Sequence, residues 1–297
     1  MKQKLWVTGY GGFVASHVVK LAGPEWDVVA LSRRELPHVN PHAEYRILDL
    51  LDKEAVTAAF TAAPPDVIIH CAAMADIDYS ERNPEEATAI NVGVPALLAN
   101  LCRAHETRFI FCSTDTVFDG EKGSYREADL PHPVNHYGRT KAEAERIVAE
   151  ALEDHVIARV ALVMGLPALS GGNTFLAKLM NNLEAGTATP FPQNEVRSPI
   201  DAITLATALL ELGNHGYNGI LHLAGASQLN RYKIGRHIAK HLGYTTDLIT
   251  TAAPNAMKDR ATRPRDVSLD VSWARQVLVT PMLTIEESLK LIFNDKE

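Results

Sequence analysis

Phe109-Ile110-Phe111-Cys112-Ser113-Thr114-Asp115, closed further along by Tyr137-Gly138-Arg139-Thr140-Lys141, is the stretch on which the reading of this chain turns. The apolar run Phe109–Phe111 is short and made of strand-favouring residues, so it predicts a buried strand of a parallel sheet. Such sheets bind ligands beyond the carboxyl ends of their strands, where Ser113 and Thr114 stand. Tyr137 and Lys141 are four apart, so a helix carries both on one face. Of the eight tyrosines, only Tyr137 has a lysine four residues on. A strand-tip hydroxyl with a phenol and an ammonium nearby suits proton transfer to a carbonyl oxygen.

Upstream, Lys4–Thr8 reads as a first strand, Gly9-Tyr10-Gly11-Gly12 as a turn, and Phe13-Val14-Ala15 as the start of a helix. Strand, glycine turn and helix in that order is the setting of a dinucleotide fingerprint. The backbone of Gly9, Gly11, Gly12, Phe13 and Val14 is then the pyrophosphate cradle at a helix N-terminus. A second strand, Asp27–Ser32, ends at Ser32-Arg33-Arg34. No acid stands there to hold ribose hydroxyls. Ser32 can donate to a 2′-phosphate and Arg33 can pair with it, which favours NADP(H), with NAD(H) as second choice.

A third strand is expected at Tyr45–Leu48 with Asp49-Leu50 at its end, and a helix over Lys53–Ala63 stopped by Pro64-Pro65. Asp66–Cys71 reads as a fourth strand, followed by the small-residue turn Ala72-Ala73-Met74. One long helix is expected over Pro84–Ala104, a helix over Thr140–Leu152 and a sixth strand over Val156–Val160. Later elements are helices near Thr174–Leu183, Asp201–Leu212, Arg231–Leu242 and Ile285–Phe293, and a strand at Gly219–Leu223. The fold class expected is α/β, a doubly wound parallel sheet of Rossmann type, with a smaller, mostly α C-terminal region.

With 297 residues the chain is long enough for a sizeable core, and 46% hydrophobic with 22% charged residues is ordinary for a globular protein. A net charge of −7 speaks against nucleic acid or an anionic membrane as partner. Neither a signal peptide nor a long apolar run is read from the sequence. Cys71, Cys102 and Cys112 read as buried, reduced thiols of a cytoplasmic protein. His237 and His241 share one helix face, but no third ligand is evident, so no metal is expected.

Ser113-Thr114-Asp115-Thr116-Val117-Phe118-Asp119-Gly120, followed by Tyr137-x-x-x-Lys141, resembles the extended short-chain dehydrogenase/reductase superfamily. Within it, essentially the whole chain is most similar to the dTDP-4-dehydrorhamnose reductase family. The resemblance implies an NAD(P)H-dependent reductase of a nucleotide-linked keto-sugar, with a homodimer allowed. Tyr137 would be proton donor, Thr114 a donor to the substrate oxygen backed by Ser113, and Lys141 a group that lowers the Tyr137 pKa and holds the nicotinamide ribose. Asp49 and Leu50 would meet the adenine, and Ala72, Ala73 and Met74 would pass beneath the ribose. Asn91 would support this backbone. Arg263, in an Arg-Pro motif, would contact a substrate phosphate, with Phe175 and Lys178 in the cleft. Residues 1–165, rejoined by 201–225, would bind the dinucleotide; 166–200 and 226–297 would bind substrate. Two features depart or discriminate. Leu162 stands where the reductases carry a tryptophan that packs on the sugar, and no glutamate follows Asp115, which argues against dehydration. The regulatory beta subunit of methionine adenosyltransferase resembles the family too, so a non-catalytic NADP-binding subunit is the alternative, and a sugar-nucleotide epimerase a closer one.

Overall fold

Strand and helix alternate from the N-terminus: β1 (Gln3–Thr8), α1 (Phe13–Leu21), β2 (Trp26–Ser32), β3 (Glu44–Ile47), α2 (Lys53–Ala62) and β4 (Val67–His70). Then come α3 (Ile77–Arg82), α4 (Pro84–Thr88), a π turn (Ala89–Gly93), α5 (Val94–His105), β5 (Arg108–Thr114), α6 (His136–Ala151) and β6 (His155–Val160). The remainder holds β7 (Val163–Met164), α7 (Phe175–Glu184), β8 (Thr189–Phe191), β9 (Val196–Arg197), β10 (Ile200–Asp201), α8 (Ala202–Asn214) and β11 (Gly219–Leu223). It ends with β12 (Leu229–Asn230), α9 (Arg231–His241), β13 (Ile249–Thr251), α10 (Ala274–Val277) and α11 (Ile285–Asn294). This is a computed structural model, and it describes residues 2–167, 169, 175–252 and 260–294. The loop expected over 167–173 falls mostly outside the described residues.

Seven parallel strands form the sheet, in the order β11-β6-β5-β4-β1-β2-β3. Their inner residues are apolar on both faces, as Leu5-Trp6-Val7 and Phe109-Ile110-Phe111 illustrate, because helices cover both sides. One cluster joins Leu5, Val7 and Ile110 to α1 and α8; another joins Trp6, Phe109 and Phe111 to α2, α5 and α6. A third, separate cluster packs Leu176, Leu179, Ile234, Ile238, Leu289 and Ile292 together. Val267, Leu269, Ala274 and Leu278 belong to the first cluster instead, so part of the expected C-terminal region rests on the sheet. The strand order reverses at β1, which lies between β2 and β4. A crevice opens at such a reversal, outside the carboxyl ends of the strands.

Two helices depart from expectation in ways that matter for the site. α6 starts at His136, not Thr140, because Asn135 caps it: Oδ1 accepts from Gly138 N at 2.8 Å. Tyr137 and Lys141 thus share the helix, as their spacing of four predicts. A Cβ on Gly138 would stand 2.3 Å from the Thr116 carbonyl oxygen, so a glycine lets α6 press onto the loop after β5. The long helix expected at Pro84–Ala104 is interrupted by the π turn around Asn91. The run Pro84–His105 is also long and apolar enough to cross a membrane by length and composition, contrary to the sequence reading. In the fold it packs Leu98, Ala99 and Cys102 into the second cluster.

Candidate active site

The glycine turn lies where β1 ends, facing the turn after β4. Gly9 and Gly11 have φ of 76° and 109°, a region L side chains rarely enter. A Cβ on Gly9 would meet Ala72 Cα at 2.7 Å, so the turn closes against the Cys71-Ala72 backbone. Gly12 has ordinary extended dihedrals and begins α1 without any side-chain cap; the first turn carries no acid. Its free N–H groups and positive dipole end therefore fit a pyrophosphate. Thr8 anchors the same wall: its Oγ1 accepts from Ala72 N at 3.3 Å and bonds His70 Nδ1 at 2.8 Å. His70 packs between β-strand rings, with burial and Lys141 pushing it down to about 3.

Asn91 holds the turn after β4 rather than facing a ligand. Its Oδ1 accepts from Met74 N at 2.8 Å, while Nδ2 donates to Met74 O at 3.2 Å and Thr140 Oγ1 at 3.1 Å. Thr140 Oγ1 in turn donates to Tyr137 O at 2.8 Å. One buried amide thus fixes Ala72–Met74 relative to α6. Its place in a π turn accords with the tendency of such turns to occur at functional sites.

Tyr137, Lys141 and Thr114 converge at the tip of β5. Lys141 is 1% exposed, with Nζ 4.0 Å from the centroid of the Phe111 ring. Burial pulls its ammonium down to about 8, against the pull of Cys112, Glu145 and Cys71. Burial likewise pushes the Tyr137 phenol up, helped by Asp115, while Thr114 works the other way. The protein's own groups keep Tyr137 protonated, the state a proton donor needs. Since Lys141 loses its proton as pH rises through about 8, kcat/KM is expected to fall above that pH. The same limb is expected to vanish in Lys141→Met. A flat profile from pH 7 to 10 in the parent would contradict a role for the charged form.

Several expected contacts are spent elsewhere. Ser113 donates its hydroxyl to Glu145, itself held by Arg159 through Nη2 at 2.8 Å, so it faces α6 and not the crevice. Strand alternation explains this, since Thr114 is the next residue along. Ser32 Oγ donates to the Arg34 carbonyl at 2.6 Å, leaving exposed Arg33 and Arg34 as the groups at that tip. Arg263 pairs with Asp78 at 2.8 Å and donates to Ala261 O at 2.7 Å, tying the C-terminal segment to α3. Asp49 is exposed, with Leu50 half-buried beside it; Lys178 is exposed and Phe175 half-buried.

The sequence reading missed a charged cluster beside Thr114. Asp115 and Arg197 are 5% and 4% exposed, with Oδ2 and Nε 3.8 Å apart. Buried Glu195 takes Arg260 at 2.6 Å and Arg231 at 3.5 Å, and Arg231 lies 5.4 Å from the Phe175 ring. Among the described residues, Asp115 Oδ2 and Arg231 Nε are buried without a hydrogen bond. Each of these atoms has an ion-pair neighbour but no hydrogen bond, so both keep hydrogen-bonding capacity that suits a ligand rich in hydroxyls or phosphates. These residues come from four distant segments, so no local pattern marks them. A cavity of about 450 Å³ bounded by Leu21, Glu25, Thr207, Glu211 and Thr280 lies at the other end of the sheet and shares none of this chemistry.

Residues 3–297 match the RmlD substrate binding domain family. The chain is 34% identical to the probable low-salt glycan biosynthesis reductase of Haloferax volcanii, over 95% of each chain. It is 31% identical to the dTDP-4-dehydrorhamnose reductase of Mycolicibacterium smegmatis, over 98% of this chain and 85% of the other. It is also 30% identical to methionine adenosyltransferase 2 subunit beta of Xenopus laevis, over 90% and 80%. The fold is shared with dTDP-4-dehydrorhamnose reductase of Bacillus anthracis, solved in complex with NADP, at a TM-score of 0.89, 21% identity and full coverage of both chains.

Proposed function

The chain belongs to the RmlD substrate binding domain family, and on that premise we propose that it is an NADPH-dependent reductase of a nucleotide-linked keto-sugar. The observation that carries this is the buried Tyr137–Lys141 pair beside Thr114, facing an uncapped helix start across the reversal of the sheet. Named activities of the Haloferax and Mycolicibacterium relatives support it.

The cofactor, when bound, supplies the hydride. Gly9, Gly11, Gly12, Phe13 and Val14 would hold its pyrophosphate, Asp49 and Leu50 its adenine, and Ala72–Met74 with Lys141 its nicotinamide ribose. Thr114 Oγ1 donates to the substrate carbonyl oxygen. Tyr137 gives that oxygen its phenolic proton as the carbon is reduced. Buried Asp115, with Arg197 and Arg231 near it, meets the polar face of the sugar nucleotide. Residues 1–165 and 201–225 form the dinucleotide-binding part, and 166–200 with 226–297 the substrate-binding part, the third apolar cluster supporting a small separate core. The chain's three cysteines are free, in keeping with a cytoplasmic setting.

The test is NADPH oxidation with a panel of nucleotide-linked 4-keto sugars. Stoichiometric consumption with formation of the 4-hydroxy sugar is the expected result. Substrate interconversion without net consumption would make the protein an epimerase. Tight NADP binding with no turnover on the panel would favour the regulatory reading, which the Xenopus relative supports.

A preference for NADPH over NADH is expected from the tip of β2. Arg33 is exposed and has no ion-pair partner among the described residues, and no acid replaces Ser32. A charge-assisted hydrogen bond is worth about 1.5–3 kcal/mol, toward the lower end here because the site is exposed. Arg33→Ala should therefore lower the NADPH/NADH ratio of kcat/KM by roughly tenfold. An unchanged ratio would shift the role to Arg34.

A further inference from the structure

Building on the cofactor placement above, we propose that Cys71 and Cys112 form a dithiol site on the floor of the cofactor crevice, which a hydroperoxide converts to a disulfide. Their Sγ atoms are 3.6 Å apart. The β4–β5 register pairs His70 with Phe111, so the two cysteines are the next rung of the ladder. Adjacent strands lie about 4.7–4.9 Å apart, within the Cα separation of about 4.4–6.8 Å that a disulfide spans. Cys71 stands one residue past the end of β4. Both thiols are half-buried, whereas Cys102 is fully buried.

The surroundings give the two thiols different tasks. The hydrogen bond to Cys112 and burial push the Cys71 thiol up, with Lys141 acting against them. Cys71 therefore holds its proton more tightly, which leaves Cys112 as the thiol that meets the peroxide first. The Cys112 sulfur attacks the peroxide, the O–O bond breaks, an alcohol or water leaves, and Cys112 becomes a sulfenic acid. The Cys71 sulfur then attacks the Cys112 sulfur, the S–O bond breaks, and water leaves with the Cys71 proton. The peroxide gains the two electrons that the two thiols lose. Cys71 adjoins Ala72, which the Gly9 turn touches, and Cys112 adjoins Ser113 and Thr114. A bridge here draws the cradle wall toward the strand tip, whereas bound cofactor shields the sulfurs.

The test uses the purified full chain with hydrogen peroxide, alkylation under denaturing conditions and intact mass measurement. The expected result is loss of two of the three alkylatable thiols, a Cys71–Cys112 cross-linked peptide, parallel loss of NADPH turnover, and recovery of both with dithiothreitol. Cys71→Ser should stop at a Cys112 sulfenic acid that dimedone traps, Cys112→Ser should resist the peroxide, and Cys102→Ser should behave as the parent. NADP at about ten times its Kd should slow oxidation by about tenfold, in proportion to the remaining free protein. Three thiols surviving the peroxide, or a cross-link to Cys102, would overturn the proposal. So would oxidation indifferent to NADP at concentrations where titration shows it bound. A dithiol that closes in a protein shown not to bind NADP would leave the thiol chemistry standing and remove the cofactor reading instead.

Discussion

Tyr137→Phe is expected to lower turnover by on the order of 10² to 10⁴ while leaving NADPH affinity nearly unchanged. The hydroxyl is the only atom removed, and burial with Asp115 keeps its proton in place near neutral pH. The ring remains to fill its buried position on α6, and Lys141 remains 4.0 Å from Phe111. Steady-state kinetics with a 4-keto sugar nucleotide, paired with NADPH titration, separate the two effects. Near-parental turnover at neutral pH would move the proton donor elsewhere, with Asp115 the next residue to substitute. A lost cofactor affinity would instead mean that the phenol positions the nicotinamide end.

Gly9→Ala is expected to damage both stability and cofactor binding, and more so than Gly12→Ala. At Gly9 a side chain would sit at φ 76° with its Cβ 2.7 Å from Ala72 Cα, so backbone must move. Left-handed backbone strain costs about 1–3 kcal/mol, and overpacking typically adds about 1–3 kcal/mol. Thermal unfolding should therefore shift down by several degrees, and NADP affinity should fall because the Ala72–Met74 turn shifts with the collision. At Gly12 the dihedrals are ordinary and a Cβ would meet only the Gly9 carbonyl oxygen, at 3.0 Å. Gly12→Val is accordingly expected to weaken cofactor affinity far more than stability, since the added bulk projects over the helix start. Calorimetry and NADP titration on both variants check the contrast. A Gly9→Ala protein as stable as the parent would show that the turn yields without cost.

The seven strands of the main sheet, the glycine turn and the Tyr137–Lys141 pair were legible because each rests on local chemistry. Apolar runs mark strands buried on both faces, glycines mark turns with positive φ, and a spacing of four marks one helix face. Helix limits were less legible, since the Asn135 cap that draws Tyr137 into α6 lies within a loop of many polar residues. The π turn at Asn91 left no mark in composition, because the partners of its amide, Met74 and Thr140, come from other segments.

Residue type alone did not show the intramolecular partners of Ser113, Ser32 and Arg263. Each has a side chain suited to a ligand, but tertiary neighbours take it: Glu145 for Ser113, the Arg34 carbonyl for Ser32, Asp78 for Arg263. The converse holds for Asp115, for Glu195 with Arg197, and for Arg231, which come from three separated segments and meet only in the fold. The sequence by itself determined the sheet, the glycine turn and the helix spacing of Tyr137 and Lys141, because periodicity and φ preference act over a few residues. Tertiary structure alone decided which charged side chains are paired, which stay open to a ligand, and that Cys71 and Cys112 touch, because burial and strand register arise between segments rather than along them.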